Sequence, residues 1–519
     1  MKRLSILLAA ASLLVAIAGC QKEPAGNENA ESAKAYAELT ISFANEGTSK
    51  APSADDSESY DNSNADEYAV KSAVLYFVST ADNTVASVHK VQGNFTEKKV
   101  DDDVYYTSMI QDLAVGTYRV YAAINTVLSD DSNMLNVAAG AAESALIELL
   151  TTSDIPGASV PSTGIPMTSR QVSAVYNSNN SVLYDQVEIT SNNTKDNPCP
   201  ISLEMERSWA KISYNVKNLN NTYAVKDNRN KGSNKIADIQ LTGYQILNQT
   251  KKWNAFRQAC SVDNSYAVTK NGYGFFNNGA TLGYLYDPEI NLKTVADVKA
   301  ASPAYTLVDG TPANITSTSV GATQTLAYTY ENALYKDAQL AGYVTTVRFT
   351  AKITPVTVTG TKTKDDKGTP DVSDDITLSV EATSTYTNLY FYEDKFYADL
   401  GALNFVEKLG VTESNYADFN VKKFVSGVCY YDYYIKHFDN GKNPTTVPTP
   451  ASEELLGVME YAIVRNNSYV ITVSEILAPG NDVADEVDAK TPVEQTTTYF
   501  QVKLTIRPWV VRAQDAVLG

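Results

Sequence analysis

The sequence predicts an all-β fold of two tandem antiparallel β-sandwich domains with minor helices. Segments with the period-two pattern of half-buried strands follow one another along nearly the whole chain. They are rich in β-branched and aromatic residues, and turn residues rather than regular helices separate them. Strands that arrive in such runs are typical of antiparallel sandwiches and not of a parallel α/β sheet. The chain has 519 residues, 43% of them hydrophobic, which is enough to bury the cores of two or more domains.

The first predicted strand lies in the stretch AELTISFANEGTSKAP, which starts at residue 37. Alternation of apolar and polar residues gives it one buried face, as in a strand at the surface of a core. Lys50 follows seven residues after the strand, and residues 51–67 are acidic with little to bury, so we expect them to stay solvated. A strand with the pattern of a core strand is thus joined to the rest of its domain by a segment that contains a basic residue open to proteolysis. The residues of its apolar face are Ala37, Leu39, Ile41 and Phe43.

Further strand candidates fall into three groups along the chain. The first comprises Val70–Ser79, Asp103–Ile110 and Gly116–Asn125. The second comprises Arg207–Leu219, Lys235–Leu247, Thr345–Val356 and Asp375–Ser384. The last comprises Gly427–Phe438, Asn466–Leu477 and Thr498–Val511.

Other segments predict a helix, a loop and a domain boundary. Leu135–Thr151 is the best helix candidate in the N-terminal half, and Thr359–Asp375 is predicted to be a protruding loop between two strands. The sequence decays into polar turn residues just before Pro198–Ser202. We therefore expect an N-terminal domain over residues 51–200 and a C-terminal domain over residues 201–519.

The N-terminus has the pattern of an export signal. Lys2 and Arg3 precede the apolar run Leu4–Gly19, which is short for a membrane span and ends with small residues before Cys20. The motif IAGC is similar to a bacterial lipobox, so we expect a signal peptide over residues 1–19, cleavage before Cys20 and acylation of its thiol. The other three cysteines are an odd number, so no disulfide framework is predicted. They are Cys199, Cys260 and Cys429.

Composition and motifs argue against several functions. The net charge of −18 argues against a nucleic-acid partner, because phosphate binding needs a basic face. His89 and His437 lie far apart, and no nucleophile elbow, phosphate-binding loop or dinucleotide fingerprint occurs. The acidic clusters Asp101–Asp103 and Asp374–Asp375 lack the glycine and the terminal glutamate of a Ca²⁺ loop. We therefore predict a non-enzymatic protein with no catalytic residue, no metal site and no cofactor.

Seven segments taken in order carry a resemblance to a known family. They are VKSAVLYFV (70–78), GTYRVYAAIN (116–125), GIPMTSR (164–170), LEMERSWAKISYNV (203–216), YFYEDKFYADL (390–400), RNNSYVITVSEI (465–476) and VKLTIRPWVVRAQDAVL (502–518). Together with the lipobox, their order and spacing resemble the fimbrillins of Bacteroidales, especially the structural subunit of the minor fimbrium. The resemblance implies sandwich domains of the transthyretin-like, Greek-key type.

The resemblance also implies a route of assembly. In that family, lipoprotein precursors reach the cell outer membrane, held there by acyl chains such as palmitate, and a trypsin-like surface protease cuts after a basic residue beyond the first strand. Loss of the first strand opens a groove in the N-terminal sandwich, and a strand from the C-terminal region of another subunit fills it. The joined subunits form the extracellular fimbrium. Lys50 and Ala51 match the position of that cut, so residues 20–50 would be a lipidated propeptide. The partners implied are copies of this chain and other fimbrial subunits, joined head to tail.

Two C-terminal segments suit the role of donor strand. An open sheet edge recruits a further strand, and the contact is heterologous, so repetition builds a filament. In the first segment Phe500, Val502, Leu504 and Ile506 share one face; Pro508 is then expected to interrupt the ladder and Trp509 to begin a new register. The second segment, residues 509–518, contains Trp509 and Val511. The pattern does not choose between the two.

An alternative from another class is a monomeric surface lipoprotein that captures glycans. It would keep its anchor at Cys20, stay monomeric and place exposed Tyr or Trp in a sugar-binding cleft. Tyr-rich stretches such as CYYDYYIKHF (429–438) would suit sugar stacking, although a sandwich core uses the same residues. Within the fimbrial interpretation the role stays open among stalk, anchor and tip, and the presence of both a removable strand and a donor strand favours the stalk.

Overall fold

The computed structural model confirms the all-β class. It describes residues 34–43, 61–62, 64–100, 103–128, 130, 132–170, 186–227, 234–262, 268–273, 284–285, 307–334, 338–361, 378–380, 386–437, 459–484, 488–493, 496 and 499–510. These residues are mostly in strands, and the α-helices among them are α1 (Ala65–Tyr68), α2 (Glu143–Ile147) and α3 (Leu400–Glu407). None of the described helices has the length and apolar character that crossing a membrane requires.

A nine-stranded sheet forms the N-terminal part of the molecule. Its strands are β1 (Ala35–Phe43), β3 (Ser72–Ser79), β4 (Val85–Gln92), β5 (Thr96–Val100), β6 (Asp103–Leu113), β7 (Gly116–Ile124), β9 (Met167–Ser169), β10 (Gln186–Ile189) and β11 (Cys199–Arg207). They lie in the order β4-β3-β7-β9-β11-β1-β6-β5, and β10 pairs with β7. The first strand of the chain is therefore in the interior of the sheet.

Two five-stranded sheets enclose the core of the C-terminal part. The first has the order β2-β33-β32-β12-β22, from β2 (Asp61–Asn62), β12 (Trp209–Asn215), β22 (Thr323–Tyr330), β32 (Asn467–Ile476) and β33 (Phe500–Val510). The second has the order β13-β14-β24-β30 with β21 on β14, from β13 (Thr222–Lys226), β14 (Lys235–Leu247), β21 (Ala313–Asn314), β24 (Thr346–Pro355) and β30 (Val428–Tyr434). Buried side chains of both sheets form one hydrophobic cluster.

A third five-stranded sheet is inserted between the paired strands β24 and β30. It has the order β26-β25-β28-β27-β29, from β25 (Thr359–Thr361), β26 (Leu378–Val380), β27 (Asn388–Tyr392), β28 (Lys395–Tyr397) and β29 (Lys422–Val425). This insertion has a small core of its own, to which α3 contributes. The predicted loop at residues 359–375 begins with β25, and its residues 362–375 lie outside the described part of the chain.

Short strands complete the described structure. They pair as β15-β20, β16-β8, β18-β17-β19 and β23-β31. Their bounds are β8 (Leu150–Thr152), β15 (Gln249–Thr250), β16 (Lys252–Asn254), β17 (Gln258–Val262), β18 (Val268–Tyr273), β19 (Tyr284–Leu285), β20 (Leu307–Val308), β23 (Asn332–Ala333) and β31 (Ala462–Ile463).

The predicted helix over Leu135–Thr151 is wrong except for one turn and a half. Only residues 143–147 are helical, as α2. Before them, Gly140 donates to the carbonyl of Val85 at 2.7 Å, and the amide of Val85 donates to the carbonyl of Ala141 at 2.8 Å. After them, residues 150–152 pair with β16. The flanking backbone is thus bonded to strands, and tertiary hydrogen bonds override a local helix preference.

The chain passes between the two parts of the molecule at Ser208. Residue 207 ends β11 in the nine-stranded sheet, and Trp209 begins β12 in a C-terminal sheet. The boundary predicted between residues 200 and 201 falls inside β11, which pairs along its length with β1. A polar stretch before a strand thus marked the approach to the boundary, whereas the change of sheet comes eight residues later.

The acidic segment expected to stay solvated is partly structured and partly buried. Its residues 61–62 form β2 and 65–67 lie in α1, whereas residues 51–60 lie outside the described part of the chain. The carboxylate of Glu67 is 2.9 Å from Nζ of Lys211 and accepts hydrogen bonds from the Tyr328 hydroxyl at 2.7 Å and the Asn64 amide at 2.8 Å. The expectation failed because a buried cation, which composition cannot reveal, pairs with this carboxylate.

A second buried charge cluster joins the two parts of the molecule. Glu206 on β11 lies 3.3 Å from Arg257 and 3.8 Å from Arg465. Arg465 also pairs with Glu331 at 2.6 Å and donates to the Asn254 carbonyl at 2.6 Å. Burial lowers the pKa of Arg257 to about 10, partly opposed by Glu206, so the guanidinium stays charged at neutral pH. The cluster contains two carboxylates and two guanidinium groups, so charge is balanced within it.

Replacing Glu67 tests the buried pair at the junction. Burial by itself raises the pKa of Glu67, but Lys211 and the hydrogen-bond donors outweigh it, so the net pKa is lowered from 4.5. The ionised carboxylate therefore stabilises the fold above about pH 4.5, and this contribution is lost as the pH falls through the lower folded pKa. We expect Glu67→Gln to cost roughly 3 kcal/mol at pH 7, as for a broken buried pair, and less at pH 3.

The measurement is urea unfolding of both proteins between pH 7 and pH 3. Asp238→Asn is the control, because its pair with Lys235 is exposed and we expect a change below about 1 kcal/mol. A difference between wild type and Glu67→Gln that stays constant over this range would contradict the assigned ion pair.

Candidate strand-exchange site

The first strand fills a gap between two other strands of the sheet. It pairs in parallel with β11, from Ala37 opposite Cys199 to Phe43 opposite Met205. On its other side it pairs antiparallel with β6, where Ile41 lies opposite Tyr106. Because β1 is bonded along both edges, its absence would leave two unpaired edges facing each other.

The apolar face of β1 lies entirely in the core. Leu39 and Ile41 are 0% exposed and Phe43 is 6% exposed. Residues 35 and 37 on the same face are alanines with 1% and 0% exposure. Complete burial of a leucine, isoleucine or phenylalanine side chain is worth about 1.5–3 kcal/mol each, so this strand contributes substantially to the stability of its sheet.

The two ends of the gap differ in shape. At the end of β1 the Phe43 ring packs edge-on against Tyr68 and Tyr106, with ring centroids 6.3 and 6.0 Å away. At the start, the pairing with β6 is irregular between Ala35 and Ala37. One end therefore accommodates a ring, and the other accommodates small side chains.

Cys199 lies at the small end of the gap. It is the Cα partner of Ala37 and is 7% exposed, and burial raises the pKa of its thiol. Cys260 and Cys429 are 0% exposed, and none of the three cysteines forms a disulfide within the described residues. Because β1 is its neighbour, Cys199 is a native reporter of whether that strand is in place.

The candidate donor strand lies at the edge of its own sheet. β33 pairs with β32 from Phe500 opposite Ile476 to Pro508 opposite Asn467. Trp509 and the next residue instead pair in parallel with β2. In the described part of the chain, no strand pairs with the outer edge of residues 500–508.

The expected interruption at Pro508 is wrong, although the partner does change at Trp509. The ladder with β32 includes residue 508, because alternate amides of an edge strand point away from the sheet and a proline there costs no ladder bond. Phe500 is buried, with ring centroids of Tyr431, Phe349 and Tyr433 at 5.2, 6.3 and 6.4 Å. The later residues on the same face are only half-buried: Val502, Leu504 and Ile506.

Several predicted site residues lie outside the described residues. They are Cys20, Lys50, Ala51 and Val511. Within the described part of the chain, no three His, Cys, Asp or Glu side chains come together as a metal site. Sequence reasoning missed Tyr68, Tyr106 and Cys199, which line the gap from other strands and from α1. Their own patterns mark them only as core residues, so no local signal links them to β1.

The C-terminal part of the chain matches one known family model. Residues 422–515 match the family model described as major fimbrial subunit protein type IV, fimbrillin, C-terminal. The match covers β29, β30, β31, β32 and β33. It confirms the resemblance to the fimbrillins for this C-terminal segment. No curated protein matches the sequence.

The solved structures found by comparison are distant in sequence. The tip fimbrial protein Mfa3 from Porphyromonas gingivalis, with a C-terminal truncation, is 11% identical with a TM-score of 0.37, over 92% of this chain and 100% of that chain. A protein from Parabacteroides distasonis named for cell adhesion is 11% identical with a TM-score of 0.40, over 92% and 100%. A fimbrial assembly protein from the same organism is 8% identical with a TM-score of 0.27, over 67% and 99%.

A cavity substitution tests how much β1 contributes to the sheet. Leu39→Ala removes three carbons from a fully buried site, so we expect a loss of about 2–5 kcal/mol in the free energy of unfolding of the unprocessed chain. Thr40→Ala, on the opposite face, is the matched control, with an expected loss below about 1 kcal/mol. Urea denaturation measures both. Equal effects of the two substitutions would contradict the assigned face.

Proposed function

We propose that this protein is the structural stalk subunit of a cell-surface fimbrium that supports adhesion. It is exported as a lipoprotein acylated at Cys20, activated by a cut after Lys50 that releases β1, and polymerised by donor-strand insertion. The observation that carries the proposal is the position of β1, a central strand with a buried apolar face in a chain whose C-terminal segment matches the fimbrillins.

The position of β1 makes it a switch for assembly. While the strand is covalently attached, its effective concentration at the gap excludes competitors. Once the tether is cut, the segment can dissociate, and the two edges of β6 and β11 are left without partners. Unpaired backbone groups and an apolar floor then favour insertion of a strand from a second subunit. Because donor and acceptor are different surfaces, the contact repeats head to tail.

The basic residues of this region support a cut at Lys50. It is the only lysine or arginine between Lys34 and Lys71. A cut after Lys34 would leave β1 attached to the domain. A cut after Lys71 would release α1, whose Glu67 is buried in the junction, and the amide of Lys71 is itself bonded to Oδ1 of Asn125 at 2.8 Å. Only the cut at Lys50 separates β1 and leaves β2 and α1 in place.

N-terminal sequencing and intact mass of the protein sheared from cells test the cut. We expect a chain that starts at Ala51 and runs as a ladder of multimers on unheated gels, because strand insertion is reversed only by denaturation. Lys50→Gln should remain unprocessed and monomeric, and Lys34→Gln is the matched control that should assemble as wild type. A monomer that starts at lipidated Cys20 would reject the stalk and leave the anchored, glycan-binding lipoprotein.

Thiol labelling of Cys199 tests release of the strand directly. In the unprocessed chain we expect slow reaction with a maleimide, because Cys199 is 7% exposed while β1 is paired beside it. Processing under dilution should accelerate labelling at least tenfold, and assembly into multimers should slow it again. Cys260 and Cys429 are internal controls that should stay unreactive, and peptide mapping separates the sites from Cys20. Unchanged labelling of processed monomers would show that β1 is not released.

A further inference from the structure

The removable strand and the C-terminal strand share a tripeptide. β1 contains Leu39-Thr40-Ile41, and β33 contains Leu504-Thr505-Ile506. The residues that precede the leucine differ in charge, since Glu38 stands in β1 and Lys503 in β33. The shared residues are therefore the two on the apolar face and the threonine between them, which determine how the strand packs in a sheet.

In both strands the leucine and the isoleucine of the tripeptide point toward a core. In β1 the leucine and isoleucine are 0% exposed and the threonine lies on the other face. In β33 Leu504 and Ile506 pack against the C-terminal core, and Lys503 on the other face is exposed. The two strands thus offer the same side chains to a core, but β33 buries them only half.

We infer that β33 of a second copy of this chain enters the gap in the same direction as β1, with Leu504 and Ile506 in the places of Leu39 and Ile41. The inference rests on the proposed function and specifies its partner strand, direction and register. Insertion would bury Leu504 and Ile506 fully, whereas they are half-buried in their own sheet. The additional apolar area removed from water favours insertion.

Proline decides the direction. If β33 enters in the same direction as β1, Pro508 takes the place of Phe43. Among the described strands, Phe43 is paired with β11 alone, and the proline ring would pack between Tyr68 and Tyr106. In the reverse direction, with leucine and isoleucine exchanged, Pro508 falls on Ala37, which pairs with strands on both sides. Proline is rarely found at a place that is paired on both sides within a sheet, so the same direction suits Pro508 better.

The fixed end of β33 agrees with this register. Phe500 aligns with Ala35, at the small end of the gap, where its benzyl ring would add far more volume than the two carbons by which Val502 exceeds Ala37. At home Phe500 is 5% exposed and packed among three aromatic rings. Phe500 therefore stays in its own domain as the anchor, and the exchanged segment begins after it.

Charge on the outer face also fits. Arg507 takes the place of Ser42, whose partner on β11 is Glu204. Lys503 takes the place of Glu38, which lies 3.9 Å from Lys98 at an exposed position. The first exchange brings a cation to Glu204, which already lies 3.9 Å from Arg170, and the second replaces a weak exposed pair by an equally weak repulsion. The balance of these outer contacts does not oppose insertion.

Disulfide cross-linking to the native Cys199 tests the direction in which β33 enters the gap. In the inferred register Val502 takes the place of Ala37 and becomes the neighbour of Cys199 in the next subunit, within the reach of a disulfide. Val502→Cys should therefore give a ladder of disulfide-linked multimers after processing and mild oxidation. Lys503→Cys, one residue on and facing outward, is the matched control and should give none. Cys199→Ser combined with Val502→Cys should also give none.

The outcomes separate the inference from the proposed function. Unfolding midpoints of the unprocessed variants, equal to wild type within about 1 M urea, establish that each is folded. If processed wild type forms no multimers, strand exchange itself fails and the inference fails with it. If multimers form and only Ile506→Cys or Pro508→Cys links to Cys199, insertion runs in reverse. If multimers form and no β33 cysteine links, another segment is the donor; both results overturn the inference and leave the fimbrial function standing.

Discussion

The continuity of the N-terminal sheet depends on the pairing and burial of β1. β1 is bonded on one side to β6 and on the other to β11, and its apolar face is completely buried. Without it, the sheet would be divided between β11 and β6, and the core would open along the length of the strand. A domain whose continuity rests on one terminal strand is complete only while that strand, or an equivalent one, is present.

Buried charges complement this arrangement by holding α1, the helix between β1 and β3, against the body of the molecule. Glu67 on α1 is held by Lys211 and Tyr328 of a C-terminal sheet, and its carbonyl accepts a hydrogen bond from Arg207 at 3.0 Å. Glu206, Arg257, Arg465 and Glu331 add a second link across the junction. Loss of any one partner would leave a buried charge uncompensated, which is costly. The segment after the proposed cut is thus tied to the body by buried charges, whereas β1 is held by sheet pairing, apolar burial and one exposed ion pair between Glu38 and Lys98.

The proposed donor strand β33 and the strand β1 that it would replace differ in how firmly they are held. β33 is an edge strand with a half-buried stripe and one deeply buried anchor at Phe500. β1 is a central strand, and its inward residues are nearly all fully buried. An edge strand loses fewer backbone bonds when it leaves its sheet than a central strand does. A polymer in which edge strands replace removed central strands therefore gains sheet pairing at each joint.

Local patterns in the sequence determined the strands and their faces. The predicted strand Lys235–Leu247 coincides with β14, and the alternation in residues 37–43 places the apolar set of β1 on the buried side, because a period of two is a property of the strand itself. Only the tertiary structure decided that β1 lies between β6 and β11, that Glu67 is buried, and that most of residues 135–151 are not helical. Strand neighbours, buried ion pairs and overriding backbone bonds join residues tens to hundreds of positions apart, and no local pattern records which distant partner a strand or a charge will meet.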